Sequence, residues 1–453
     1  MGLLFGTDGI RGVANKDLTC DLANRTAMAC TVYLARNKKR PHIIIGQDTR
    51  KSGDMLALAM AAGFCSCGAD VTLLGVTPTP AVAFLVRHME ADAGVMISAS
   101  HNPAPYNGIK IFSSDGYKLS DQAEEELEQM IYNGVTPPAD TVPGAFVQNE
   151  RAIDAYIRHV VSAADTDLSG MHITVDCANG AAYATARRIF ESLGVHAHFF
   201  HDRPDGLNIN RRCGSTHLEE ASAQVLRCGA ELGFSFDGDT DRCLAVDGSG
   251  RPISGDHILG VLALYLKKRK KLAKNAVAAT VMSNMGFLSM LKEHGVDTHA
   301  TRVGDRYVLE AMRSEGLSLG GESSGHVILL DKNTTGDGQL TAVMFMCALR
   351  GMGMSPGQAA DIFTPYPQAQ YNVPASKEQK AFLAEDAAFL SAVEAASARL
   401  GDKGRVLVRP SGTEPKLRIM VEGVDADLVE ELANSLVLLA NKRIQECDSL
   451  LEV

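Results

Sequence analysis

Met171-His-Ile-Thr-Val-Asp176 is a short, apolar, β-rich run. After the break Cys177-Ala-Asn-Gly180 it gives way to residues 181–193, Ala-Ala-Tyr-Ala-Thr-Ala-Arg-Arg-Ile-Phe-Glu-Ser-Leu, whose apolar positions recur at helical spacing. The same succession appears in residues 41–46 followed by 54–67, and in residues 276–282 followed by 286–294. Strand patterns alternating with longer helical ones are the mark of βαβ units, where helices cover both faces of a largely parallel sheet. The three stretches share this rhythm without a close sequence repeat. Beyond about Gln368 the order changes, with helical patterns at 378–400 and 427–446 around strand patterns at 406–409 and 417–422. The predicted fold class is therefore α/β, with three related α/β domains containing mixed or parallel sheets and a smaller C-terminal α+β domain. Pro/Gly-rich seams at 134–144, 247–255 and 364–374 divide the chain into 1–150, 151–250, 251–366 and 367–453.

A chain of 453 residues is too long for one hydrophobic core, so clefts between domains are expected. Its 45% hydrophobic and 22% charged residues are ordinary for a soluble globular protein. No apolar run approaches the roughly 20 residues needed to span a bilayer, and Asp8 interrupts the start before a signal-peptide core forms, so the expected address is cytoplasmic. The ten cysteines are scattered, and the closest pair, Cys65 and Cys67, lacks the spacing of redox or zinc motifs. Reduced thiols are expected. A formal charge of −10 opposes binding to nucleic acid, and the basic run Lys267 to Lys271 with Lys274 reads as a solvated helix end. An anionic substrate must then be held by local cations and backbone dipoles.

Residues 93–103, Ala-Gly-Val-Met-Ile-Ser-Ala-Ser-His-Asn-Pro, form an apolar strand pattern ending in small and polar residues. Ligands of open α/β sheets gather at such carboxyl ends. Ser98 and Ser100 are both candidate nucleophiles, and the chemistry alone does not choose between them. His101 can orient a hydroxyl, Asn102-Pro103 favours a turn, and Lys110 adds an ammonium nearby. The Gly-x-Ser-x-Gly elbow of α/β-hydrolases is missing, which disfavours an esterase.

Phe234-Ser-Phe-Asp237-Gly-Asp-Thr-Asp241-Arg-Cys-Leu-Ala-Val-Asp247 sets three aspartates at alternate positions between apolar runs. Carboxylates gathered so close to a core repel one another unless a cation joins them. All-oxygen donors suit a hard ion such as Mg²⁺ better than zinc or copper. The string fails as an EF-hand, which would need Gly where Arg242 stands and Glu where Gly248 stands. An aspartyl-phosphate nucleophile is a weaker alternative, because Asp241 replaces the usual hydroxyl residue.

In residues 405–415, Arg-Val-Leu-Val-Arg-Pro-Ser-Gly-Thr-Glu-Pro, the donors Arg409, Ser411 and Thr413, with Gly412 admitting an anion to the backbone, can cradle a phosphate without a Walker motif. Residues 319–326, Leu-Gly-Gly-Glu-Ser-Ser-Gly-His, carry Glu322, Ser324 and His326, a mixture suited to sugar hydroxyls. Phe5-Gly-Thr-Asp-Gly-Ile-Arg-Gly12 and Thr301-Arg-Val-Gly-Asp-Arg-Tyr307 each place an arginine beside glycine, and alone Arg11 or Arg306 reads more readily as a partner of a surface carboxylate.

Together, TDGIRG, SASHNP, DGDTDR, GESSGH and RPSGTEP resemble the α-D-phosphohexomutase superfamily, in that family's order over nearly the whole chain. FGTDGIRG, Met282-Ser-Asn-Met-Gly286, VGDRYV and Thr335-Gly-Asp-Gly338 most closely resemble its bacterial phosphoglucosamine mutase branch. The resemblance implies four domains around a central cleft and selects Ser100 as the phosphoserine. It implies one Mg²⁺ held by Ser100, Asp237, Asp239 and Asp241, and catalytic roles for Ser100, His101, Lys110, Arg11 and His326. Substrate contacts are implied for Arg242, Asp305, Arg306, Glu322, Ser324, Arg409, Ser411, Gly412 and Thr413. The implied reaction interconverts glucosamine 6-phosphate and glucosamine 1-phosphate through glucosamine 1,6-bisphosphate. A phosphomannomutase or phosphoglucomutase of the same superfamily is the nearest alternative, and a non-catalytic sugar-phosphate sensor a remote one. The expected partner is a small-molecule phosphosugar, with neither nucleic acid nor membrane, and the sequence leaves a homodimer open.

Overall fold

A computed structural model describes residues 4–410 and 415–451 apart from Thr7, Ala35 and Asn37, with backbone alone for 449–451. The chain forms two compact units, Met1–Ser283 with Met290–Ile362, and Asn284–Ser289 with Phe363–Val453.

The larger unit contains three sheets, each built on the strand-helix alternation seen in the sequence. In the first, the strand order is Ile10–Val13, Tyr106–Ser113, Ala93–Ile97, His42–Gln47, Asp70–Val76 and Phe146–Gln148. The pairings of His42–Gln47 with Asp70–Val76 and with Ala93–Ile97 are parallel, while Tyr106–Ser113 runs antiparallel to both its neighbours. Ala93–Ile97 is buried at every position, as a central strand covered on both faces must be. The second sheet runs Pro252–Ile253, Cys243–Asp247, Leu232–Phe236, His172–Asp176 and His196–Phe200. The third runs Asp297–Thr301, Ala276–Thr280, Leu319–Gly321 and Val327–Leu329. All three mix parallel and antiparallel pairs, matching the expected class.

The smaller unit is an antiparallel sheet, Gln368–Pro374, Lys416–Gly423 and Gly404–Pro410, packed with Lys377–Glu385, Ala387–Leu400 and Ala426–Leu451. The helical pattern expected over 378–400 is two helices, because Asp386 is extended and its carboxylate accepts from Phe389 N–H to cap the second. The pattern expected over 181–193 is likewise divided at Thr185 into a 3₁₀ turn, Ala181–Ala184, and a helix, Ala186–Ser192. The basic run ends the helix Gly255–Lys268, as read from sequence.

Candidate active site

Four loops of the larger unit meet at the ends of its strands. The nucleophile loop follows Ala93–Ile97, and within it Ser100 is buried with a left-handed backbone, φ 51°. That conformation is disfavoured for a residue with a Cβ and must be imposed by its surroundings. Arg50 does much of this. Its guanidinium donates to the carbonyls of Ser100 (2.8 Å), Asn102 (2.7 Å), Pro103 (2.6 Å) and Tyr106 (2.9 Å). Its Nε donates to Asp48 at 2.8 Å, and both side chains are fully buried. Asn210 adds Nδ2 donations to the Ser100 and Asn102 carbonyls at 2.8 and 3.0 Å.

The two serines are thereby distinguished by geometry. Ser98 Oγ donates to Asp48 at 2.6 Å and accepts from Ser100 N–H at 2.9 Å. Ser100 Oγ donates to Asp237 Oδ2 at 2.6 Å and lies 3.4 Å from His101 Nδ1.

Asp237, Asp239 and Asp241 occupy the turn joining the antiparallel strands Leu232–Phe236 and Cys243–Asp247, and all three are buried. Gly238 is required there, since a Cβ would come within 2.6 Å of the Ser100 carbonyl oxygen. Gly338 N–H donates to the Thr240 carbonyl at 2.9 Å, so the Thr335–Gly338 stretch braces the turn. Ligand oxygens of the three aspartates lie within 4.8 Å of one another. Among the described residues, Oδ1 of Asp239 and Oδ1 of Asp241 are buried without a hydrogen-bond partner. Burial, then Asp241 and Asp239, push the Asp237 carboxyl well above the usual carboxylate range. An all-oxygen cluster with orphaned oxygens and one carboxyl driven toward its neutral form fits a hard divalent cation.

Cations already surround the cluster. Lys110, on Tyr106–Ser113 with its side chain 1% exposed, donates to Asp239 at 2.8 Å and lies 3.4 Å from Asp8 and 3.6 Å from Asp241. Burial alone would lower its pKa, but Asp239, Asp8 and Asp241 outweigh it and hold the ammonium charged. Asp8 also pairs with Arg11 and Lys118, and Lys118 reaches Asp305 at 2.5 Å. Despite burial, these cations keep Asp8 ionised far below its ordinary range. Arg242 donates its N–H to Asp237 at 3.1 Å, and its guanidinium Nε lies 3.9 Å from Asp241. Burial, then Arg242 and Arg11, push the His101 imidazole down to about 4, so it is neutral at physiological pH. His326 accepts from Gly336 N–H through Nε2 at 3.1 Å and turns Nδ1 toward Asp241 at 3.8 Å. The neutral ring therefore carries its proton on Nδ1.

The remaining expected residues are spread more widely. Glu322 accepts from Gly304 N–H at 3.0 Å, and the Ser324 hydroxyl is buried without a partner among the described residues. Arg306 is engaged with Asp121, with Glu124 at 2.9 Å and with the Leu119 carbonyl at 3.2 Å. Arg409 belongs to the strand Gly404–Pro410 of the smaller unit, and Ser411, Gly412 and Thr413 lie outside the described residues. Sequence reasoning missed Asp8, Asp48, Arg50, Lys118 and Asn210, and also Thr79, whose hydroxyl donates to Asp239 at 2.7 Å. Asp8 carried a signal by standing in the TDGIRG stretch, and Asp48 and Arg50 as polar residues just past a strand's carboxyl end.

Comparison with known proteins gives the family of the chain. The phosphoglucomutase/phosphomannomutase alpha/beta/alpha domains I, II and III match residues 2–136, 154–250 and 254–366, and the C-terminal domain of that family matches 371–439. A phosphoglucosamine mutase of Clostridium acetobutylicum is 47% identical, over 98% of this chain and 100% of its own length. One from Alkaliphilus oremlandii is 46% identical with the same coverage. Among solved structures, a phosphoglucomutase/phosphomannomutase family protein from Burkholderia thailandensis has a TM-score of 0.83 at 25% identity, covering 98% of this chain and 97% of that one. Aspergillus fumigatus N-acetylphosphoglucosamine mutase, solved with GlcNAc-6P and magnesium, shares the fold at a TM-score of 0.66 and 17% identity, covering 98% and 96%. The chain belongs to the phosphoglucomutase/phosphomannomutase family of phosphohexomutases and, within it, to the phosphoglucosamine mutases.

Proposed function

We propose that the chain interconverts glucosamine 6-phosphate and glucosamine 1-phosphate, with Ser100 as the phosphate carrier. The observation that carries this reading is the Ser100 hydroxyl directed at Asp237, inside a turn of three buried aspartates. Phosphorylated Ser100 gives its phosphoryl group to the 1-hydroxyl of the sugar, whose proton leaves as the new P–O bond forms and the serine P–O bond breaks. The resulting glucosamine 1,6-bisphosphate turns over and returns its 6-phosphoryl group to Ser100, releasing glucosamine 1-phosphate. Such transfer depends on positioning and charge neutralisation more than on covalent chemistry.

Asp237, Asp239 and Asp241 would hold Mg²⁺, with a phosphoserine oxygen as a further ligand. The ion, when bound, neutralises negative charge on the transferring group. Lys110 contributes a fixed positive charge and a proton donor in the same cluster, its ionised state supported by three carboxylates. Arg11 and Arg242 add charge, and His326 directs its Nδ1 proton inward. His101, neutral, orients the Ser100 hydroxyl. Glu322, Ser324, Asp305 and Arg306 are assigned to the sugar; the unpartnered Ser324 hydroxyl supports its place in that set. Arg409, Ser411, Gly412 and Thr413 are assigned to the phosphate that does not react.

We assign functional domains 1–150, 151–250, 251–366 and 367–453, and a cytoplasmic address. Among the described residues no helix is long and apolar enough to cross a membrane.

The test supplies glucosamine, glucose and mannose 6-phosphates with a trace of the matching 1,6-bisphosphate and measures sugar 1-phosphate against inorganic phosphate. Preferential formation of glucosamine 1-phosphate is expected. Faster turnover of another hexose, or net release of inorganic phosphate, overturns the reading.

A further inference from the structure

A second cluster of metal-ligating side chains lies in the sheet that carries the aspartate turn. Asp176, His201 and Cys213 bring a carboxylate oxygen, an imidazole nitrogen and a thiol sulfur within 4.8 Å of one another. Asp176 ends the strand His172–Asp176, His201 directly follows His196–Phe200, and Cys213 lies on the loop after Asn210.

Three observations distinguish this cluster from a chance meeting. Asp176 is fully buried, yet among the described residues no lysine or arginine pairs with it, and its one charge partner is His201 Nδ1 at 3.0 Å. The Cys213 thiol is fully buried and forms no disulfide among the described residues. Both carboxylate oxygens of Asp176 are fixed from behind by backbone, Oδ1 by Ala178 N–H and Oδ2 by Gly214 N–H, each at 2.9 Å. Hydrogen bonds of that kind orient carboxylates that ligate metals; Oδ2 keeps a lone pair, while Oδ1 also meets His201 Nδ1, a contact the ion would replace. The His201 side chain, 29% exposed, gives an ion access from solvent.

We propose that Asp176, His201 and Cys213 bind a zinc ion, with a water completing the shell. Mixed sulfur, nitrogen and oxygen donors select zinc over magnesium, as the all-oxygen turn of Asp237 selects the reverse. Such an ion would tie loops together. Ser215 N–H donates to the Phe236 carbonyl at 2.9 Å and Ala181 N–H to the Gly238 carbonyl at 2.8 Å, so the loops the zinc would join are those that back the aspartate turn.

The test uses the full chain with Mg²⁺ in large excess, titrated with Co²⁺ as a spectroscopic substitute for zinc. One equivalent of Co²⁺ with sulfur-to-metal charge-transfer absorption, bleached by Zn²⁺, is expected. Cys213→Ser should abolish that absorption, and His201→Gln should weaken binding at least about tenfold. If Cys213→Ser does not fold, His201→Gln carries the test through its part-exposed side chain. Absence of the absorption, its persistence unchanged in the variants, or its loss in Asp241→Asn alone overturns the proposal.

Discussion

The Ser100 hydroxyl donates to Asp237 Oδ2 at 2.6 Å, across a separation of 137 residues that joins the ends of two different sheets. Phosphorylation replaces this donor with oxygens carrying about −1.5 to −2 charge, which face a carboxylate rather than a cation. The same contact that positions the hydroxyl becomes repulsive unless Asp237 is protonated or a cation intervenes. The high pKa of Asp237 and the orphaned oxygens of Asp239 and Asp241 are the two sides of that demand.

Ser100→Ala removes the nucleophile and one buried hydrogen bond. Turnover of glucosamine 6-phosphate should be lost, with destabilisation of about 1 kcal/mol read from urea unfolding. Intact mass should find a phosphoryl adduct on the wild-type chain, after exposure to the 1,6-bisphosphate, and none on the variant. Retained turnover would remove Ser100 from the mechanism.

Arg50→Ala removes a donor from four carbonyls, of which those of Ser100 and Asn102 keep Asn210, and leaves the buried Asp48 carboxylate without its guanidinium. Breaking a buried pair from one side costs about 3–5 kcal/mol. Urea unfolding should show a loss of that size. Arg50→Lys should recover little of it, because one ammonium cannot serve the same spread of acceptors. A variant as stable as wild type would show that the nucleophile loop does not depend on this residue.

The chain's periodicity disclosed the βαβ units because buried strands and amphipathic helices must carry those patterns. It disclosed the aspartate turn because Asp237, Asp239 and Asp241 are adjacent in sequence. The partners of the turn were hidden for the opposite reason. Thr79 reaches Asp239 and Asp8 reaches Lys110 from distant parts of the chain, and neither local spacing nor composition encodes such meetings; Lys110 was legible only as an ammonium near the nucleophile loop, not as a partner of the turn. The helix expected over 378–400 failed for a local reason: Asp386 fits a helical pattern by polarity, yet its side chain is better used as a cap.

His257, buried on the helix Gly255–Lys268 with Ser254 Oγ 2.8 Å from its Nδ1, has its pKa pushed down to about 4 by burial. The unfolded chain, with the ordinary value of 6.5, binds a proton there that the folded chain rejects. Stability therefore falls as pH drops from 6.5 toward 4, by roughly 3 kcal/mol from this group at the end of the window. His257→Gln should lose this part of the acid sensitivity. The difference in unfolding free energy between pH 7 and pH 4.5 should shrink by about 2–3 kcal/mol relative to wild type. An unchanged difference would assign the sensitivity to other groups.

Lys110 competes with a metal for the same oxygens. Its ammonium lies 2.8 Å from Asp239 and 3.6 Å from Asp241, so an arriving Mg²⁺ meets a fixed positive charge. Unit charges about 4 Å apart interact by about 4 kcal/mol at an effective dielectric of 20. Lys110→Met keeps most of the volume and removes the charge. In the absence of metal the variant should be less stable, because Asp8, Asp239 and Asp241 lose a shared cation. Calorimetric titration should show Mg²⁺ binding at least about tenfold more tightly than to wild type, and added Mg²⁺ should raise its melting temperature by more. Turnover should nevertheless fall, since the charge and proton donor are gone. Weaker Mg²⁺ binding in Lys110→Met would mean that the lysine organises the aspartates for the ion rather than competing with it.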